Sequence, residues 1–172
     1  MPGQDQGRGR LRRAVTAVEK EIAHNDFETA AVFANDGTLL FRKAGEQTAI
    51  RFTQQEALRM IDAAVFTHNH PRHTSFSLAD IDLAWRLRIG ELRVVTQSFL
   101  YRMRPPVGGW RQIEWQSIEE TVNTVYDHVR QEFQTALRKG HLTETEADLR
   151  GWHTVWLRTA RHLSLSYTRR RQ

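Results

Sequence analysis

Two imidazoles, a hydroxyl and a carboxylate lie close together near the middle of the chain, in His68-Asn69-His70-Pro71 and Ser77-Leu78-Ala79-Asp80. Histidine and aspartate are ligands that a catalytic zinc ion uses while one coordination position stays open to water. Residues i and i+2 of a strand point to the same face, so a strand extended through His70 aims both imidazoles at one place. Pro71 has no backbone N–H and cannot continue a central strand as a donor. The loop from Pro71 to Phe76 therefore turns the chain back and brings Ser77 and Asp80 toward the histidines. In this reading Asp80 is the third ligand and water the fourth, and the metal brings the pKa of that water to about 7. The chemistry would be hydrolysis.

Each piece also has a plainer reading. Serine at a helix N-cap with an acidic residue at N3 is an ordinary helix start. A single histidine at a strand end would be no more than a polar terminus. Two histidines at i and i+2, followed by proline and by Ser-x-x-Asp in a strand, loop and helix context, favour the metal site. Such a site also needs a base for the water proton, and a carboxylate suits that role. Glu19, Glu21, Glu28, Glu46 and Glu56 all lie upstream. Glu28 stands out because it begins a strand that would fix its position, although composition alone does not choose among the five.

The elements that must position these groups are legible in outline. Leu11, Val15, Val18 and Ile22 recur at helical spacing and predict an amphipathic first helix. Thr29–Phe33 reads as a strand, Asn35-Asp36-Gly37 as a tight turn, and Thr38–Phe41 as the hairpin partner. Thr48–Phe52 is expected to form a third strand. Thr53-Gln54-Gln55-Glu56 has the form of a capping box and opens a short helix through Met60. The apolar run Ala63–Thr67 reads as a buried strand leading into His68, and Ser77–Leu87 as a helix. Leu92–Thr96 and Phe99–Met103 read as two further strands, and Pro105-Pro106 with Gly108-Gly109 as a loop. Beyond Trp115 a helical period runs through Ile118, Val122, Val125, Val129 and Phe133 and stops near Lys139-Gly140. Thr143–Glu146 is another capping box, before a second long helix with Leu149, Trp152, Trp156 and Leu157 as its apolar stripe. The expected organisation is a basic, mobile tail over residues 1–10, an α/β catalytic domain over residues 11–110, and a two-helix extension over residues 111–172.

The ordered set of a strand-borne Glu28, His68-x-His70-Pro71 and Ser77-x-x-Asp80 resembles the JAMM (Jab/MPN) metallopeptidases. It is most similar to prokaryotic and phage-type, RadC-like members, which favour His-Asn-His-Pro and Ser-x-Ala-Asp. The turn at Asn35-Asp36-Gly37 is also similar to theirs. The likeness covers roughly Asp26 to Pro106, and the interval Pro71 to Phe76 is slightly shorter than in many members. The resemblance implies a JAB/MPN-like, cytidine-deaminase-like mixed sheet flanked by helices. It implies that His68, His70 and Asp80 bind Zn2+, that Glu28 is the general acid/base, and that Ser77 stabilises the oxyanion. The implied substrate is a peptide or isopeptide bond in a polypeptide partner, such as a ubiquitin-like tail or a phage or mobile-element protein. Some members are inactive, which leaves a non-catalytic scaffold or a nucleic-acid-associated accessory protein as the alternative.

Composition sets the outer limits. At 172 residues and 40% hydrophobic content the chain suits one globular domain with an extension. It has no cysteine, which excludes a disulfide framework, a thiolate nucleophile and a cysteine-ligated zinc, so any metal falls to His, Asp or Glu. The net charge of +5 is concentrated partly in Arg8, Arg10, Arg12 and Arg13 and in Arg169–Arg171. These read as solvated termini before they read as a nucleic-acid contact. No apolar run approaches a membrane span and no signal peptide is visible, so a cytoplasmic location is expected. His73 reads as an exposed loop residue, and His24, His128, His141, His153 and His162 as structural or surface groups. Trp110 and Trp115 flank a turn and are candidates to line a substrate groove.

Overall fold

The computed structural model describes residues 3–172. It is a mixed α/β structure: a six-stranded sheet with five α-helices among the described residues. The elements are α1 (Gly3–Ile22), β1 (Thr29–Phe33), β2 (Leu39–Ala44), α2 (Gln54–Met60), β3 (Val65–Asn69), α3 (Leu78–Leu87), β4 (Glu91–Val95), β5 (Phe99–Arg104), α4 (Trp115–Arg138), α5 (Glu144–His162) and β6 (Ser166–Arg171). The sheet order is β2-β1-β3-β4-β5-β6. Only β3 and β4 run parallel, joined through α3, and every other neighbouring pair is antiparallel.

Strand alternation divides the apolar residues between two faces. Ala31, Phe33 and Val65 meet Leu11, Val15 and Val18 of α1. Ala30, Val32, Phe66, Leu92, Val94 and Met103 face a larger cluster on the opposite side. That cluster also contains Met60 of α2, Ile81 and Ala84 of α3, Val122 and Val129 of α4, and Trp156 of α5. The result is three layers, with α1 on one face of the sheet and α2 to α5 on the other. The β1–β2 turn packs tightly on α1. Gly37 has φ +86°, and a Cβ there would lie 2.9 Å from the Leu11 backbone nitrogen, so the turn needs glycine for both conformation and space.

Several sequence expectations change. Thr48–Phe52 is not a strand; Ile50 and Phe52 instead pack irregular chain against the core. Part of the expected N-terminal tail is helical, because α1 begins at Gly3, while Met1 and Pro2 lie outside the described residues. The C-terminal basic run is strand β6, paired along its length with β5. Trp110 lines no groove: it is buried, and its indole N–H donates to Ile89 O at 2.7 Å. Trp115 packs on Trp85, the rings tilted at 49° with centroids 5.7 Å apart.

The C-terminal helices do not form a separate layer of structure, since α4 and α5 close the same core as the sheet. Trp156 is fully buried and its indole N–H donates to Phe76 O at 2.6 Å. Trp156→Ala is expected to destabilise the whole fold by about 3–5 kcal/mol, read as one cooperative transition in chemical denaturation. An early, separate unfolding step of the C-terminal helices would instead show them to be an independent unit.

Candidate metal centre

Strand β3 ends with Thr67-His68-Asn69, and its two sides do different work. Phe66 and His68 face the large core, where their rings stack at 4.9 Å. Thr67 and Asn69 face α1. Immediately after the strand, His70 N–H still donates to Val95 O at 3.1 Å, so the ladder with β4 continues for one more residue. His70 to His73 then form a turn with Pro71 at its second position, closed by His73 N–H donating to His70 O at 3.0 Å. His73 takes φ +61° and is half-buried, not exposed as expected.

Both imidazoles project to the same side. Their Nε2 atoms lie 3.0 Å apart. Asp80 reaches them from the first turn of α3, with Oδ1 3.1 Å from His68 Nε2 and Oδ2 3.5 Å from His70 Nε2. These three groups can hold a metal ion, since one ligand atom from each lies within 4.8 Å of the others. Ligands at zinc–nitrogen distances on a tetrahedron are separated by about 3.3 Å, so the observed spacing fits such an ion. The tautomer of His70 fits as well. Its Nδ1 lies 3.2 Å from both the carbonyl and the hydroxyl of Thr74; with the proton on Nδ1 and donated to that carbonyl, Nε2 presents a lone pair. Nδ1 of His68 is buried without a hydrogen-bond partner.

Asp80 is placed by a capping box. Ser77 N–H and Ser77 Oγ donate to Asp80 Oδ2 at 2.7 and 2.8 Å, and Asp80 N–H donates back to Ser77 Oγ at 3.2 Å. The plain helix-start reading of Ser77 and Asp80 is therefore realised, and it orients the carboxylate toward the histidines. The C-terminal segment steadies the loop before it. Trp156 holds Phe76 O, while the Tyr167 and Ser75 hydroxyls are 2.9 Å apart and His153 Nδ1 lies 2.9 Å from the same tyrosine oxygen.

Sheet register selects among the five upstream carboxylates. Ala30 of β1 lies opposite His68 of β3. Continuing that antiparallel register by two residues sets Glu28 opposite His70 on the same face. Glu28 Oε1 is 4.0 Å from His70 Nε2 and its residue is 9% exposed. Glu19 is on the other face, accepting from Thr67 Oγ1 at 2.9 Å and from Arg93 at 3.0 Å. Glu21 pairs with Arg42, Glu56 caps α2 and binds Lys43, and Glu46 is exposed. Only Glu28 reaches the histidines.

Asn69 is the residue that sequence reasoning passed over. Its Oδ1 accepts from Thr29 N–H at 2.6 Å, and its Nδ2 donates to Phe27 O at 3.0 Å and Asn25 O at 3.1 Å. The amide thus clamps the chain on both sides of Glu28. The available signal was an amide between two histidines on a buried strand, where its polar atoms must find partners.

Charge states follow from burial and neighbours. Burial, aided by the Asp80 charge and opposed by His68, raises the Glu28 carboxyl to about 7. Burial and then His68 lower His70 to about 4, so its ring is neutral at neutral pH. Burial pushes Asp80 upward, but the charge and hydrogen bond of His68, the His70 ring and Ser77 N–H outweigh it and hold Asp80 well below the usual carboxylate range.

In the metal-free chain Glu28 keeps its proton to about pH 7 when folded, while the unfolded chain releases it near 4.5. Glu28 therefore costs stability as pH rises through that window, by at most about 3 kcal/mol. Glu28→Gln with chelator present is expected to be more stable than wild type at pH 8 and equal to it at pH 4.5. Denaturant midpoints at the two pH values measure this; an unchanged difference between the two would contradict the assignment.

No family model, no curated protein and no solved structure matches the chain. No helix of the described residues is long and apolar enough to cross a membrane.

Proposed function

We propose that this chain is a zinc-dependent peptidase or isopeptidase of the JAMM type, built on a JAB/MPN-like sheet. The observation that carries this reading is the convergence of His68, His70 and Asp80, with Glu28 alone among the upstream carboxylates beside them. His68 Nε2, His70 Nε2 and an Asp80 oxygen would hold the zinc ion. When bound, zinc supplies a Lewis acid for the scissile carbonyl and lowers the pKa of water to about 7.

The side chains supply the rest. Glu28 is held by the β1 register and by Asn69 at the edge of the ligand group, where its carboxylate takes a proton from the attacking water and delivers it to the leaving amine. A bound cation favours its ionised form, which offsets the burial that raises this carboxyl in the metal-free chain and leaves it able to accept the proton. Ser77 Oγ donates its single hydrogen to Asp80 in the resting arrangement. Rotation of that hydroxyl would present the hydrogen to the substrate oxygen as it gains negative charge. Thr74 keeps His70 in the tautomer that leaves Nε2 free.

The test has two parts. Metal analysis of gently purified protein should find close to one zinc per chain, and a polypeptide cleavage screen should show turnover that a chelator stops and zinc restores. Full metal loading with no cleavage of any polypeptide would support a scaffold instead, and absence of metal binding would refute the site.

A further inference from the structure

Strand β6 is the outermost strand, and no strand of the described residues lies beyond it. Its pairing shows which backbone groups are free. Gln172 N–H donates to Ser98 O, continuing the register in which Arg170 faces Leu100 and Thr168 faces Arg102. In an antiparallel ladder these alternate residues point their N–H and C=O groups at the partner strand. The backbone groups of Tyr167, Arg169 and Arg171 therefore point outward, away from β5.

The opposite edge is different. On β2, Arg42 pairs with Glu21, Lys43 pairs with Glu56, and the Arg59 guanidinium occupies Leu40 O. On β6, Arg169, Arg170 and Arg171 are exposed and none of them pairs with a carboxylate among the described residues. Arg169 lies over the Phe99 ring at 4.7 Å. Charge on an edge strand discourages pairing of two identical edges. A second copy set against β6 would face arginine with arginine.

We propose that β6 is a docking edge for an extended acidic peptide segment, which adds a seventh strand to the sheet. The outward N–H and C=O groups of Tyr167, Arg169 and Arg171 supply the strand ladder, and the arginine side chains supply charge selection. A polypeptide strand is favoured over nucleic acid because alternating donors and acceptors at strand spacing match a peptide backbone. The proposal does not depend on the metal centre.

Fluorescence anisotropy of the whole chain tests it, using a labelled peptide of about eight residues that alternates Glu and Val. Two companion probes are the same peptide with Lys for Glu and the same peptide N-methylated at alternate backbone nitrogens. A single-stranded oligonucleotide of equal charge is the third. The acidic peptide should bind saturably, and the Lys and N-methylated peptides should bind at least about tenfold more weakly. Arg169→Glu with Arg171→Glu should give a loss of similar size, with circular dichroism confirming the fold. If that variant fails to fold, the N-methylated probe on wild-type protein still decides. No saturable binding, equal binding of the N-methylated peptide, or tighter binding of the oligonucleotide would each overturn the proposal.

Discussion

Glu28→Gln is expected to retain one zinc per chain and to lose turnover by roughly 10²- to 10⁴-fold, the usual contribution of a positioned acid/base. The substitution keeps size and shape but removes the proton-accepting oxygen. It leaves local structure intact, because the contacts that fix this segment are backbone ones: Glu28 N–H donates to Glu46 O at 2.8 Å and Gly45 N–H donates to Glu28 O at 2.8 Å. Asn69 holds the residues on either side. The loss should therefore appear in kcat, with KM and metal content close to wild type. Cleavage at saturating substrate, with metal content measured on the same samples, separates the outcomes. Full activity in Glu28→Gln would assign the proton transfer to another group and would undo the role given to Glu28 while leaving the metal site standing.

Alanine at His68, His70 or Asp80 is expected to abolish zinc binding and, with it, zinc-dependent stabilisation. A ligand that binds only the folded chain stabilises it by about 4 kcal/mol at a thousandfold excess over its Kd. For a domain of this size that corresponds to a rise in Tm on the order of 10 °C. Wild type should show this rise on zinc addition and each variant should not. Every variant is compared with its own metal-free state, because the ligands also have structural duties. His68 stacks on Phe66, and Asp80 completes the cap of α3. Asp80→Ala therefore loses about 1 kcal/mol of helix stability before metal is considered. A wild-type Tm that does not respond to zinc, or a variant that responds as wild type does, would remove the basis for the hydrolase reading.

Local patterns carried much of the architecture. The capping boxes at Thr53, Ser77 and Thr143 start helices where expected, since the signal lies within four neighbouring residues. The hairpin at Asn35–Gly37, the strand leading through His68 and the strand from Leu92 also appear, with ends displaced by one to three residues. The expectation at Thr48–Phe52 failed: the segment pairs with no strand although the outer edge of β2 is open. Its Ile50 and Phe52 are held by packing on the core, and such packing overrides β-propensity. Strand β6 failed for the complementary reason. Arg169–Arg171 has no apolar alternation, and its strand conformation comes from the β5 edge.

The amino-acid order by itself determined the types of the converging groups and their local geometry: imidazoles two apart at a strand end, a proline that turns the chain, and a capped helix that presents Asp80. Those relations are short-range, so they are written in neighbouring residues. Tertiary structure alone decided which carboxylate joins them. Glu28 lies one residue ahead of β1, not within it as expected, and Glu19 lies in α1; continuing the antiparallel register puts the first opposite His70, while the second sits across the sheet with Arg93. The same holds for the helices after Trp115, whose periodicity is plain while their hold on Ser75 and Phe76 is not. Contacts between residues far apart in sequence depend on pairing register and layer packing, which no local pattern encodes.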